Sequence, residues 1–199
     1  MRPLKTAFLA TLAAFAVVAP PAMSVPHSQT PLRAPVTQNT PGNSISDHMN
    51  LIRALARVGV RTKFNDMQFC NVTGNAGAYF SRLRTMLICQ DNARQDNVMS
   101  PWTENDLDTV RHEAHHVVQD CARGRLGDAM LSEIFTEPQS YNNFVITNLG
   151  HRRASKIAQA YGEAGKDQQT IFVEVEAFAV AHGITADTIA NKVIEVCRR

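Results

Sequence analysis

Residues 103–124 read TENDLDTVRHEAHHVVQDCARG, and the fold turns on whether this stretch is one helix. It carries the marks of one. Thr103 is a good N-cap, and Glu104 and Asp106 put negative charge beside the positive end of a helix. Leu107, Val110, Ala114, Val117, Val118 and Cys121 recur at helical spacing, and Gly124 offers a stop. Inside the stretch lies His112-Glu113-Ala114-His115-His116, three of the chain's 7 histidines around one glutamate. Residues four apart on a helix differ by about 40° around the axis, so His112 and His116 share one face, one turn apart. That spacing lets two imidazoles reach one Zn2+. Glu113 is offset by about 100° from His112, beside a metal rather than on it. A carboxylate there can take a proton from a water held by the metal. The competing reading is a solvated helix face rich in histidine. The capping and the small Ala114 between the functional residues favour the metal site.

A catalytic zinc needs a third protein ligand and an open position. The extended motif with a third histidine six positions after the second would need it at Ala122, and a glycine at Gln119, so the ligand comes from elsewhere. Residues 172–183, FVEVEAFAVAHG, set Glu174 and Glu176 in an otherwise apolar helix, where an unpaired charge is costly. A metal would account for one of them. Positions two apart on a helix differ by about 200°, so only one carboxylate can face the site. The competing reading for either is a salt bridge with Arg152, Arg153 or Lys156. His115 lies on another face of its helix and reads as a neighbour of the site or a surface residue. Asp120, one turn beyond His116, could accept the free N–H of a ligating histidine. Tyr141, His151 and His182 are available donors to a developing oxyanion, and nothing in the sequence chooses among them.

These segments resemble the HExxH metallopeptidases called zincins, in the branch whose third ligand is a glutamate. Glu176-Ala177-Phe178-Ala179 is similar to the Glu-(Gly/Ala)-Phe-Ala segment in which that glutamate ligates the zinc, and it follows His116 by 60 positions. The resemblance covers two short segments and the order of elements. The NExxSD and GTxxD patterns of other zincin groups do not occur. It implies an α+β, zincin-like fold, mostly helical with a small sheet before the HExxH helix. It implies one catalytic Zn2+ held by His112, His116 and Glu176, with Glu174 as the alternate ligand. Glu113 would activate water, and peptides or proteins would be the substrates. It also implies a short edge strand that pairs with extended substrate, a place Thr85–Cys89 could fill.

The regions outside the motif add context. Arg2 and Lys5 precede an apolar run over Phe8–Val18 and then Pro20 and Pro21, the pattern of a signal peptide over residues 1–24 and an expectation of a secreted or periplasmic protein. Residues 25–43, rich in Pro, Thr, Gln and Asn, predict a disordered linker, and residues 44–199 the folded domain. Removing residues 1–24 takes away Arg2 and Lys5 from 20 basic residues, leaving 18 against 18 acidic ones. A neutral mature chain has no electrostatic reason to bind nucleic acid or, once the signal peptide is gone, a membrane surface. Cys70, Cys89, Cys121 and Cys197 predict two disulfides in an exported chain, with Cys70–Cys89 and Cys121–Cys197 the favoured pairing.

The pattern predicts a helix capped at Ser44 or Ser46 and stopped by Gly59. It predicts a strand over Phe64–Cys70 and two short extended pieces on either side of Arg82–Thr85, the second Thr85–Cys89, then helices near 128–135, 138–148, 151–162, 168–182 and 186–198. No G-x-S-x-G, P-loop or Rossmann glycine pattern occurs, which removes those classes. Two rivals to the hydrolase stand. One is a zincin-like module that binds peptides without turnover. The other is a structural zinc protein with its coordination closed by side chains, for example Glu174 or His151. Only the hydrolase requires Glu113.

Overall fold

The quoted stretch is one helix, and the rest of the chain is arranged around it. The computed structural model describes residues 42–72, 74–95, 97–128 and 130–198. The elements run α1 (Ile45–Arg57), β1 (Arg61–Phe64), α2 (Met67–Cys70), β2 (Gly77–Phe80), β3 (Thr85–Ile88), α3 (Glu104–Ala122), α4 (Pro138–Leu149), α5 (His151–Glu163), α6 (Gln168–Gly183) and α7 (Ala186–Cys197). The class is therefore α+β, mostly helical with a small sheet before α3. The expected signal peptide and nearly all of the expected linker lie outside the described residues. Gly42 and Asn43, the last two linker positions, already belong to the fold. The Asn43 side chain accepts the amide of Ala186 at 2.9 Å, and the Gly42 carbonyl accepts that of Asp187 at 3.3 Å.

α3 begins with a reciprocal cap. The Thr103 hydroxyl accepts the Asp106 amide, and the Asp106 carboxylate accepts the Thr103 amide. Such a box is worth about 1 kcal/mol. The helix is buried along almost its whole length, His112 to Cys121 included. α6 and α7 pack on it, and the sheet and α1 cover other sides. Leu107, Val110, Ala114, Val117 and Val118 join Leu51, Leu55, Met86, Ile88 and Val193 in one core. A smaller cluster, with Val145, Ile157, Tyr161 and Val175, ties α4 and α5 to α6.

The three strands are ordered β1-β3-β2, with β3 parallel to β1 and antiparallel to β2. β3 is the central strand, so the expectation that Thr85–Cys89 is a free edge is corrected: both of its sides are hydrogen-bonded. The strand that runs beside α3 is β2. Gly77 permits that approach, because a Cβ there would lie 2.7 Å from Thr109 Cγ2 and 3.1 Å from Glu113 Cγ.

Two other expectations change. The strand expected over Phe64–Cys70 ends at Phe64. Asn65 turns left-handed with φ 53°, and Asp66 caps the short α2 by accepting the Gln68 amide. The helix expected near 128–135 is absent among the described residues 130–137, where Ile134 and Phe135 give their amides to the Glu176 carboxylate. The four cysteines form Cys70–Cys89 and Cys121–Cys197, the latter fastening the end of α3 to the end of α7. Closing loops of 19 and 76 residues stabilises by about 3 and about 4.5 kcal/mol in the chain-entropy picture. No helix among the described residues is long and apolar enough to cross a membrane.

Candidate metal centre

α3 presents His112 and His116 to α6, which packs across it. Their Nε2 atoms are 3.1 Å apart. Glu174 Oε2 lies 3.3 Å from His112 Nε2 and 3.6 Å from His116 Nε2. The three atoms close a triangle. Ligands about 2.0–2.1 Å from a tetrahedral zinc are about 3.3 Å from one another, so the triangle has the size of one tetrahedral face. All three side chains are buried, with His112 7 %, His116 2 % and Glu174 5 % exposed.

The structure thus brings His112 and His116 together as expected and takes Glu176 away from them. Glu176 is fully buried on another side of α6. Its Oε1 accepts from His115 Nε2 at 2.7 Å and Gln119 Nε2 at 3.0 Å, and its Oε2 from the amides of Ile134 at 2.9 Å and Phe135 at 3.2 Å. The third carboxylate of the cluster is Glu174, the alternate, and Glu176, the expected ligand, lies outside it. The reason is geometric: on a helix the two glutamates diverge, and the face with the donors of His115 and Gln119 is the face of Glu176. His115 is correspondingly buried beside Glu176.

Charge fits a cation here. Burial opposes ionisation of Glu174, but the neighbouring His116 and His112 outweigh it and hold the carboxyl well below the usual range. Burial would lower His116, yet the Glu174 charge and hydrogen bond raise it to about 9. A proton on His116 thus does in part what a metal ion would do, supplying positive charge beside the carboxylate. The Nδ1 atoms differ. That of His116 donates to Gln119 Oε1 at 2.7 Å, whereas that of His112 is buried without a partner.

Glu113 stands beside the triangle on the sheet side. The backbone N–H of Tyr79 on β2 donates to its carboxylate, and Oε2 is buried without a partner. Burial pushes the Glu113 carboxyl up to about 8. A buried carboxyl in that range can exchange a proton near neutral pH.

Other expected residues lie elsewhere. Asp120 accepts from the Tyr79 hydroxyl at 2.7 Å and the Gly127 amide at 2.8 Å, so it holds β2 and the turn after α3 rather than a ligating histidine. Tyr141 donates to the Phe172 carbonyl at 2.9 Å, His182 meets Arg153 on the surface, and His151 is exposed. The tyrosine at the cluster is Tyr161 of α5. It is 2 % exposed, and its hydroxyl donates to Glu174 Oε2 at 2.9 Å. Phe178 lies against the His112 ring, with centroids 4.4 Å apart. Tyr161 and Gln119 were not singled out for these roles by sequence. Their signal was present only as polar groups on otherwise apolar faces.

Fold and site define an α+β protein with a buried His–His–Glu group able to hold a metal ion. Residues 36–178 match the family described as a domain of unknown function (DUF8637), and the chain belongs to that family. Comparison with curated proteins and with solved structures gave no match.

Proposed function

We propose that this chain is an exported zinc-dependent peptidase of the zincin type, with zinc on His112, His116 and Glu174. The observation that carries the proposal is Glu113: a buried carboxylate with one unpartnered oxygen, held by a strand amide beside three convergent ligand atoms. A structural metal has no use for such a group. When bound, zinc supplies a Lewis acid that makes water acidic near neutral pH and polarises a carbonyl. Glu113 Oε2 takes the proton of the attacking water and delivers it to the departing amine. The Tyr79 amide keeps the other oxygen of Glu113 fixed during both transfers. The Tyr161 hydroxyl holds Glu174. β2, rather than β3, is the strand beside Glu113 and the place for an extended substrate to pair. The two disulfides fit an oxidising compartment.

One observation favours a second reading. The three ligands are almost inaccessible, which suits a metal that fastens α3 to α6 and performs no chemistry. One experiment separates the two. Wild type and Glu113→Gln are loaded with zinc and presented with a mixed peptide library. The peptidase binds about one zinc in both forms, and Glu113→Gln loses at least about 100-fold in cleavage. Bound zinc without cleavage in wild type sinks the peptidase, and no bound zinc sinks both.

A further inference from the structure

We infer that Gln119 and Glu176 act as a positioning pair for the metal site: together they fix which nitrogen of His116 carries its proton, and they tie that choice to the backbone at Ile134–Phe135. The inference rests on the metal-site reading and concerns residues outside the ligand set.

Gln119 is fully buried. Its Nε2 donates to the Val173 carbonyl and to Glu176 Oε1, each at 3.0 Å. Both partners only accept. Turned end for end, the amide would set its oxygen against two other oxygens, so its orientation is determined. Oε1 then faces His116 Nδ1 at 2.7 Å, and this nitrogen must donate. A proton on Nδ1 leaves the Nε2 lone pair for a metal, on the side where His112 and Glu174 converge.

Glu176 supplies the rigidity. Four donors converge on its carboxylate, His115 Nε2 and Gln119 Nε2 on Oε1 and the amides of Ile134 and Phe135 on Oε2. With donors arriving at both of its oxygens, the carboxylate offers Gln119 only an acceptor, and this orients the amide. Because Ile134 and Phe135 bond the same carboxylate, the segment between α3 and α4 is two side chains away from a metal ligand. The Glu-Ala-Phe-Ala segment thus serves the metal indirectly.

The test compares wild type, Glu176→Gln, Gln119→Met and the swapped double variant Gln119→Glu/Glu176→Gln. Two quantities are read: zinc affinity by chelator competition, and the His116 Nδ1 proton by nitrogen-15 NMR in zinc-loaded and metal-free protein. Glu176→Gln and Gln119→Met are each expected to weaken zinc binding about 10- to 100-fold and to lose the protected Nδ1 proton. In the swapped variant a carboxylate at 119 again accepts from His116 and the amide at 176 donates to it, but a carboxylate oxygen now faces the Val173 carbonyl, so the rescue is partial. Zinc affinity and the Nδ1 proton should then return toward wild type, which a purely structural defect would not allow. Unchanged affinity and an unchanged Nδ1 proton in folded Glu176→Gln overturn the proposal. Should that variant fail to fold, the same result in Gln119→Met overturns it. If wild type binds no zinc, the metal reading fails separately, and the Nδ1 proton of metal-free protein, read at a pH where the imidazole is neutral, still decides the role of the pair.

Discussion

Glu174 and Glu176 sit two residues apart on α6, both buried, and they differ in what surrounds them. Glu176 is met by fixed donors: His115, Gln119 and two backbone amides. Its charge is answered by hydrogen bonds alone, and a metal would have to displace them. Glu174 has one fixed donor, Tyr161, and otherwise faces two imidazole nitrogens. In the metal-free protein a proton on His116 supplies the positive charge beside Glu174, and a metal ion on the same imidazoles could take its place. The same residue type in the same helix is therefore a structural anchor at one position and a candidate ligand at the other. Burial of a carboxylate does not mark a metal site; convergence on side chains that can exchange a proton for a metal ion does.

This comparison predicts opposite phenotypes, and the largest effect belongs to Glu174. Glu174→Gln should lower zinc affinity by more than about 100-fold, beyond the cost of losing an outer partner. Its metal-free melting temperature should fall less than that of Glu176→Gln, because His116 can shed its proton when the carboxylate is gone and leave no unpaired charge. Glu176→Gln should retain a zinc site, weakened, and lose about 3 kcal/mol of metal-free stability as its donors lose an ionised acceptor. For a chain of this size that is about 6–12 °C in Tm. Calorimetry and zinc titration on both variants measure this directly. If the two variants lose zinc and stability in the same proportion, the distinction between anchor and ligand is wrong.

Gly77→Ala sharpens the comparison from the other side. The new methyl would press on Thr109 and Glu113 and leave both α6 glutamates alone. The expected result is a destabilisation of about 1–3 kcal/mol from overpacking, zinc affinity within a few-fold of wild type, and a marked loss of cleavage. Zinc loss as large as in Glu174→Gln would mean that β2 shapes the ligand triangle as well as the base.

Much of this arrangement was legible in the sequence. The capped, periodic stretch at 103–124 is the central helix, and the spacing of His112 and His116 places them together. The two α6 carboxylates declared themselves by sitting in apolar surroundings, and spacing two meant that they parted. Which of them turned to the histidines was not legible, because that depends on how α6 is rotated against α3. That rotation goes with apolar packing, Val180 in the core with α3 and Val175 and Ala179 against α4 and α5, and such residues carry no chemical label. The short Glu-Ala-Phe-Ala pattern pointed to Glu176, since a buried anchor and a ligand look alike in a four-residue match. The segment 130–137 misled for a related reason. Its sequence permits a helix, but a carboxylate more than forty positions away takes two of its amides. Tyr161 was invisible as a site residue because its partner lies on another helix, and Gln119, although one turn from His116, takes its orientation from partners on α6.

The smallest predicted effect concerns Tyr161. Burial first, and then the Glu174 charge, keep its hydroxyl protonated, so it is a constant donor to Glu174 Oε2. Oε2 is also the oxygen nearest both histidines. A carboxylate oxygen has two lone-pair directions, and if the tyrosine takes one, the other is aimed at the triangle. Tyr161→Phe removes that aim while leaving the ring's packing intact. A hydrogen bond to a charged group is worth about 1.5–3 kcal/mol, and 1.4 kcal/mol is a factor of ten, so zinc should bind about tenfold more weakly. An unchanged affinity would show that the α6 backbone alone aims Glu174. Tighter binding would show the opposite of positioning: the hydroxyl would be competing with the metal for Oε2, and Glu174, like Glu176, would already be answered in the metal-free protein.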